Sequence, residues 1–245
     1  MLLPMTSFTL SRLTDATKHA ESAETWQLGL QPEIMKLPGV AWAERWARPP
    51  SLATLAAGED AALARAEYAE LVLYHPPADA SIRAHHEACE RAAQLGHRPD
   101  LAYTETLLHC LFVPLKGYVN PHALVAPEVV PFRPARGLHA IVSQFRTHDA
   151  AAEAAFRWYD ETRIPELLAC RGAAGAWLLA TESLFRPERD LSLPALRLVL
   201  VWLDGDPMDF AAGIPASRHD PSVETILFAG PLRTIVPFQW DWPGN

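Results

Sequence analysis

The sequence predicts an α+β fold of two tandem βαββαβ units, each ferredoxin-like, whose antiparallel sheets pack face to face within one chain. The 245 residues are 49% hydrophobic and 20% charged, which suits a sizeable folded core. Apolar periodicity gives the order β-α-β-β-α-β twice. The two halves also share a weak internal repeat, in which Thr14–Gly39 aligns with Thr147–Gly172 without a gap.

The repeat continues along both halves in the same order. Leu71–Leu73 corresponds to Leu198–Leu200, and Leu111–Phe112 corresponds to Leu227–Phe228. Each match is short, but their common order indicates a tandem duplication. We therefore expect a first unit at residues 1–120, a Pro-rich linker at 121–135 and a second unit at 136–245.

The first half alternates strand and helix patterns. A weak strand opens it, followed by a long amphipathic helix, two strands, a second helix and a long strand. The predicted elements are strand Phe8–Leu13, helix Ala16–Leu37, strands Val40–Ala47 and Leu71–Tyr74, helix Asp79–Leu95, and strand Thr106–Val119.

The second half repeats that order. Asp149 is placed to cap a helix that reaches Ile164, and Asp206 or Pro207 opens a second, shorter helix. The Gly230-Pro231 pair predicts a bulge in the last strand. The predicted strands are Leu138–Phe145, Ala174–Phe185, Ala195–Leu203 and Glu224–Trp240.

A βαββαβ unit covers one face of its sheet with helices and leaves the other face bare. An exposed apolar face needs a partner. Two units in one chain can cover each other's bare sheet faces. We therefore expect a monomer that is a pseudo-dimer, or a homodimer of such chains.

Composition and missing motifs exclude several classes of function. The net charge of −8 and the absence of a Lys/Arg run argue against nucleic-acid binding. No apolar run reaches the roughly 20 residues that span a membrane, and no signal peptide is recognised. The three separated cysteines favour a reducing cytoplasm. Nucleotide-binding and serine-hydrolase motifs are absent.

The segment from Trp158 through Pro165-Glu166-Leu167 to Gly172 resembles the dimeric α+β barrel superfamily, and within it the EthD-like proteins with their WYDxxHxPEL…PG pattern. The first half has a fainter version around Pro32-Glu33. The resemblance implies a scaffold for small-molecule chemistry, which includes cofactor-free monooxygenases, cyclases, isomerases, haem enzymes and non-catalytic members. Arg163 replaces the family's histidine, and an arginine does not shuttle protons near pH 7.

The helix after Asp149 carries the first candidate residues. Phe156, Tyr159, Arg163 and Leu167 recur at spacings of three and four, so they share one face. Arg163 would bind an anionic or carbonyl oxygen through its guanidinium, and Tyr159 would donate a hydrogen bond. The alternative is an outward-reaching Arg163 that pairs with Asp160, Glu161 or Glu166.

Other candidates lie in the predicted strands. His139 and His109 are each a possible general base or haem ligand, or a structural histidine. Glu182 is a possible base, or an ion-pair partner of an arginine. Four aromatic residues are expected to wall the cleft or to pack the core: Trp158, Phe156, Trp177 and Trp202.

One histidine-rich segment of the first half suggests metal ligands but lacks a full set. His85 and Cys89 are four residues apart, as are His86 and Glu90, so each pair meets on a helix. Two ligands make at most half a zinc site. We therefore predict no metal.

These observations predict a small-molecule enzyme without a metal or organic cofactor. It would act on an aromatic or polyketide-like carbonyl compound as an isomerase, a cyclase or a monooxygenase. Its catalytic residues would be Arg163, Tyr159, His139 and Glu182. Two alternatives stay open: a haem-binding member of the same superfamily, and a non-catalytic ligand-binding or scaffold protein whose clefts are filled by side chains.

Overall fold

The computed structural model describes residues 4–15, 18–19, 21, 23, 29, 32–55, 57–147, 149–185, 194–216 and 219–235. Within these residues the chain forms strands rich in β-branched and aromatic side chains. The strands are β1 (Met5–Leu13), β2 (Val40–Ala47), β3 (Tyr68–Tyr74), β4 (Thr104–Val119), β5 (Gly137–Phe145), β6 (Ala173–Ala180), β7 (Leu196–Leu203) and β8 (Glu224–Thr234).

Helices lie between the strands. Among the described residues the longest is Ala78–Gln94, and a single π-helical turn, Tyr159–Arg163, joins the helices Ala150–Trp158 and Ile164–Ala169. Residues 32–35 are also helical. The helices are α1 (Pro50–Ala53), α2 (Ala78–Gln94), α3 (Ala150–Trp158), α4 (Ile164–Ala169), α5 (Glu182–Phe185) and α6 (Pro207–Ala212).

All eight strands form one closed antiparallel barrel in the order β1-β3-β2-β8-β5-β7-β6-β4. The predicted fold class, two tandem ferredoxin-like units with their sheets packed face to face, is therefore wrong. The reason lies in the sheet edges. Two separate sheets would leave four edges with unpaired backbone groups, whereas β2 pairs with β8 and β4 pairs with β6, which leaves no edge open.

Some observations still relate the two halves of the chain. Around the barrel the first four strands run β4-β1-β3-β2 and the last four run β8-β5-β7-β6. Gly39 and Gly172, aligned in the sequence repeat, have φ of 87° and 86° immediately before β2 and β6. A side chain is disfavoured at such φ values. The tandem duplication itself stays a prediction.

The barrel interior is a dense apolar core. Alternate residues of each strand point inward, as Leu138, Ala140 and Val142 do on β5. Trp177 and Trp202 meet edge to face inside, with ring centroids 5.5 Å apart. The predicted linker contributes to this core, because Val130 is buried there and Pro127 accepts a 2.9 Å hydrogen bond from Trp177 Nε1.

The opposite face of β5, β6 and β7 packs against the helices of the second half. Ile141, Val199 and Val201 contact Tyr159, Ile164, Leu167 and Phe210 in a second apolar cluster. Asp149 caps α3 by accepting hydrogen bonds from Ala151 N and Ala152 N, as predicted. Tyr159 belongs to this outer layer, and Phe156 and Trp158 pack against it.

Several predicted boundaries need correction. The strand predicted at Ala174–Phe185 ends at Ala180, and α5 follows, so Glu182 lies in a short helix. The register shift in β8 falls opposite Val142 and Ser143, not at Gly230-Pro231. Half of the predicted helix Ala16–Leu37, and the end of the last predicted strand beyond residue 235, lie outside the described residues.

Glu44 is a buried carboxyl on the same side of β2 as Trp42 and Trp46. Burial raises its pKa from 4.5 to about 8, and a 3.5 Å hydrogen bond from Trp42 Nε1 only partly offsets this. The folded protein therefore keeps a proton that the unfolded chain releases between these pH values, so stability falls as pH rises through this window.

Replacing Glu44 by glutamine is expected to remove the loss of unfolding free energy that burial of the Glu44 carboxylate causes as pH rises. Glu44→Gln should match the wild type near pH 4.5 and exceed its unfolding free energy by on the order of a few kcal/mol at pH 8. Urea unfolding at pH 5, 6.5 and 8 measures the difference. Parallel curves for the two proteins across this range would contradict the raised pKa.

Candidate functional site

A cavity of about 460 Å³ opens between the outer face of the barrel and the helical layer of the second half. Its walls are mainly apolar and hold a few polar side chains, as small-molecule sites do. The lining residues are Leu55, Ala57, Gly58, Glu59, His139, Ile141, Tyr159, Arg163, Ala211, Ile214, Pro215, His219, Ile226 and Ala229.

Arg163 is held rigidly in the wall of this cavity. It closes the π-helical turn before Pro165 and is only 4% exposed. Its Nη1 donates to Pro215 O at 2.8 Å and to Glu166 Oε2 at 3.4 Å, while the buried Nε has no partner among the described residues. The predicted pairing with Glu166 and the predicted place beside a cleft therefore coexist.

His139 lies beside Arg163 on the outer face of β5. Its ring packs against Phe210 with centroids 5.4 Å apart, and the side chain is 5% exposed. Burial, with a contribution from the Arg163 charge, lowers the pKa of His139 to about 3. The imidazole is therefore neutral at pH 7, and its Nδ1 has no hydrogen-bond partner among the described residues.

Tyr159 also lines the cavity, as do the polar residues Glu59 and His219. It begins the π-helical turn and is 1% exposed. Burial raises the pKa of its hydroxyl, so Tyr159 is a neutral donor at pH 7. A fixed cation, a neutral imidazole and a phenol thus line one apolar cavity, which suits a ligand with one carbonyl or carboxylate oxygen on an apolar body.

The first half of the chain supplies one wall of this cavity. Ala57 and Ala229 exchange two backbone hydrogen bonds of 2.7 Å, and Glu59 N donates to Ile226 O at 2.8 Å. These bonds dock residues 57–59 onto β8. Gly58 has φ of 151°, and a Cβ there would clash with Leu227 O, so the close approach requires glycine.

Replacing Gly58 by alanine is expected to displace this wall. The strained φ and the backbone clash should cost about 1–3 kcal/mol of unfolding free energy and weaken ligand binding in the cavity. Urea unfolding and binding of 2-naphthoate measure the two effects. Gly96→Ala is the matched control, since Gly96 has φ of 73° but an added Cβ would meet no atom within 4 Å. Equal binding losses in both variants would contradict the proposed wall.

The structure brings together three of the four predicted catalytic residues. Tyr159, Arg163 and His139 line the cavity, whereas Glu182 lies in α5 and is not among its lining residues. The predicted aromatic walls are elsewhere. Trp177 and Trp202 lie inside the barrel, while Phe156 and Trp158 pack on the outer apolar cluster without lining the cavity.

Sequence reasoning missed the loop residues of the site. Leu55 to Glu59 come from a stretch that reads as a surface loop, and Pro215 and His219 come from the loop after α6. The signal available for the first loop was Gly58, which permits a close backbone approach. We find no sequence signal for His219.

The histidine-rich helix of the first half forms a separate polar network. His85 Nδ1 lies 2.7 Å from the hydroxyl of Tyr74, and Thr9 Oγ1 lies 2.8 Å from His109 Nδ1. Burial, together with the neighbouring histidines, lowers the pKa of His85 to about 4. Among the described residues, no group of three or more His, Cys, Asp or Glu side chains is arranged to hold a metal ion.

No family model and no curated protein matches the chain. Several solved structures share its fold. A protein provisionally named a chlorite dismutase is 12% identical, with 96% of each chain covered and a TM-score of 0.54. A provisionally named monooxygenase from Fusobacterium nucleatum is 7% identical, with 96% of this chain and 94% of that chain covered and a TM-score of 0.54.

The haem complex of a DypB variant from Rhodococcus jostii is also 7% identical, with coverage of 96% and 94% and a TM-score of 0.53. At these identities the likeness shows a shared fold. The EthD-like assignment is not supported by any family match. In the described part of the chain, no helix combines the length and the apolar character needed to cross a bilayer.

Proposed function

We propose that this protein is a small-molecule enzyme that works without an organic cofactor on an aromatic or polyketide-like carbonyl compound. The observation that carries the proposal is the pairing of Arg163, fixed and almost fully buried, with the neutral imidazole of His139 in one apolar cavity. Fixed donors aimed at a developing oxyanion in a dry site are strong stabilisers of enolates.

In the proposed reaction, His139 takes a proton from the carbon next to the carbonyl group. The C–H electron pair forms the enolate, whose oxygen accepts hydrogen bonds from Arg163 and Tyr159. The free imidazole, with a pKa of about 3, is a weak base. The developing negative charge raises the pKa of the imidazole, because an adjacent anion favours its protonated form. Return of the proton to another carbon completes an isomerisation. In a cyclisation the enolate carbon instead attacks a second carbonyl group of the substrate, whose C=O π bond breaks, and the alkoxide oxygen that forms takes the proton.

Proton exchange on a model ketone tests this proposal. With 2-tetralone in deuterated buffer, the wild type is expected to accelerate exchange of the α-hydrogens above the buffer rate, as followed by NMR. His139→Gln should lose the acceleration, and His122→Gln, which replaces an exposed histidine in the linker, should keep it. Exchange at the buffer rate with the wild type would refute the assignment of His139 as a base.

Haem binding is the alternative suggested by the DypB complex with the same fold. The residues present do not fit it well. A metal-ligating histidine almost always donates its second ring N–H to an acceptor, but Nδ1 of His139 has no partner among the described residues. His109 is bonded to Thr9 and does not line the cavity. A Soret band with haemin that disappears in His139→Gln would reverse this choice.

The other alternative is a non-catalytic ligand-binding or scaffold protein, in which side chains would fill the cleft. The cavity of about 460 Å³ beside Arg163 does not favour that version. A ligand-binding protein without catalysis would bind 2-tetralone and leave its exchange rate unchanged, so the same experiment separates the two.

Three coarser expectations complete the proposal. The chain is a tandem duplication with units at residues 1–120 and 136–245 and a linker at 121–135, it acts in the cytoplasm, and it is a monomer that is a pseudo-dimer, or a homodimer of such chains. The equivalent strand orders of the two halves support the duplication.

A further inference from the structure

A buried ion pair lies directly behind Tyr159. Arg197 of β7 is fully buried and Glu224, at the start of β8, is 1% exposed. Because Leu196 and Leu198 point into the barrel, Arg197 points outward beneath the helical layer. There its Nη2 donates to Glu224 Oε1.

Aromatic rings enclose the guanidinium of Arg197. Its Cζ is 3.2 Å from the centroid of the Tyr159 ring, 5.1 Å from that of Phe145 and 5.6 Å from that of Phe156. Stacking on aromatic faces is a property of the planar guanidinium. Since Tyr159 also lines the cavity, Arg197 lies against a ring that forms part of the cavity wall.

Stability alone is a poor reason for this arrangement. Nε and Nη1 of Arg197, Oε2 of Glu224 and Oγ of the neighbouring Ser143 are all buried without a partner among the described residues. Buried ion pairs are often matched or exceeded in stability by apolar side chains of similar volume. A pair with this many unsatisfied atoms indicates a role other than stabilisation.

We propose that Arg197 and Glu224 are positioning residues that fix the Tyr159 side chain in the wall of the cavity. Glu224 orients Arg197, and the stacked guanidinium orients the phenol ring beside Arg163 and His139. The role of the oriented Tyr159 ring in binding a ligand rests on the proposed function. The orientation of the ring can be measured without any ligand.

Fluorine NMR of protein labelled with 3-fluorotyrosine is the test. The chain has five tyrosines, and Tyr159→Phe identifies the resonance of interest. A ring held in place gives separate fluorine lines for its two flip states, whereas a released ring gives one averaged line. Arg197→Met/Glu224→Leu is expected to merge the Tyr159 lines, leave the other four tyrosines unchanged and weaken 2-naphthoate binding about fivefold.

Arg12→Met/Glu105→Leu is the matched control, because it removes an exposed cross-strand pair between β1 and β4. It should leave Tyr159 and naphthoate binding unchanged. Unmerged Tyr159 lines in the folded Arg197→Met/Glu224→Leu protein would overturn the proposal. If that protein does not fold, Glu224→Gln replaces it, and an unaltered Tyr159 flip rate there would overturn the proposal equally. Failure of the wild type to bind 2-naphthoate would count against the proposed function alone.

Discussion

Replacing Arg163 with leucine is expected to weaken binding of 2-naphthoate by about 10- to 100-fold. The guanidinium is held by Pro215 O and Glu166 and lines the cavity, so we expect its charge to attract a carboxylate bound there. Hydrogen bonds to charged groups contribute about 1.5–3 kcal/mol, and each 1.4 kcal/mol is a tenfold change in affinity. Quenching of tryptophan fluorescence measures the binding.

Two controls make the Arg163 result specific. Arg157→Leu removes an exposed arginine from α3, one helical turn and a half before Arg163, and should leave the affinity unchanged. The neutral isostere 2-naphthamide keeps a carbonyl oxygen but carries no charge, so Arg163→Leu should weaken its binding less than that of 2-naphthoate. Leu30 occupies the position of the first half that aligns with Arg163 in the sequence repeat, and it lies outside the described residues. Leu30→Ala should leave 2-naphthoate affinity unchanged. A similar loss for Arg157→Leu would mean that net charge, not the cavity, controls binding.

Much of the secondary structure could be predicted because it is encoded locally. Val40–Ala47 and Leu196–Leu203 are mainly apolar segments of strand length, and Asp149 is a strong N-cap signal. The closure of the barrel could not be predicted from such signals. It depends on β2 pairing with β8 and β4 pairing with β6, and these contacts join strands that are distant in the sequence.

The site was partly predictable for a similar reason. Tyr159 and Arg163 share a helical face with Leu167, so their spacing places them toward the barrel. Whether Trp177 and Trp202 wall the cleft or pack the core could not be predicted, because the side of a strand that faces the core depends on barrel closure. Both tryptophans point inward, whereas Val201 beside Trp202 points to the helices. The 57–59 wall depends on a backbone pairing with β8 that no side-chain pattern encodes.

The largest effect on stability is expected from breaking the buried pair on one side only. Arg197→Met leaves Glu224 without its partner at a position that is 1% exposed, and this should cost about 3–5 kcal/mol of unfolding free energy. Glu224→Leu should cost a similar amount, because it leaves the Arg197 charge buried among aromatic rings. Urea unfolding at pH 7 measures both variants.

The double variant Arg197→Met/Glu224→Leu decides how these losses are interpreted. Because it removes both charges, it should recover most of the stability that each single variant loses, so the coupling between the two sites is large. Additive losses would mean that the two side chains act independently. If the double variant is stable but binds 2-naphthoate weakly, the effect of the pair on stability is distinct from its effect on binding. The fold would then tolerate apolar side chains at these positions, whereas the cavity would require the guanidinium behind Tyr159.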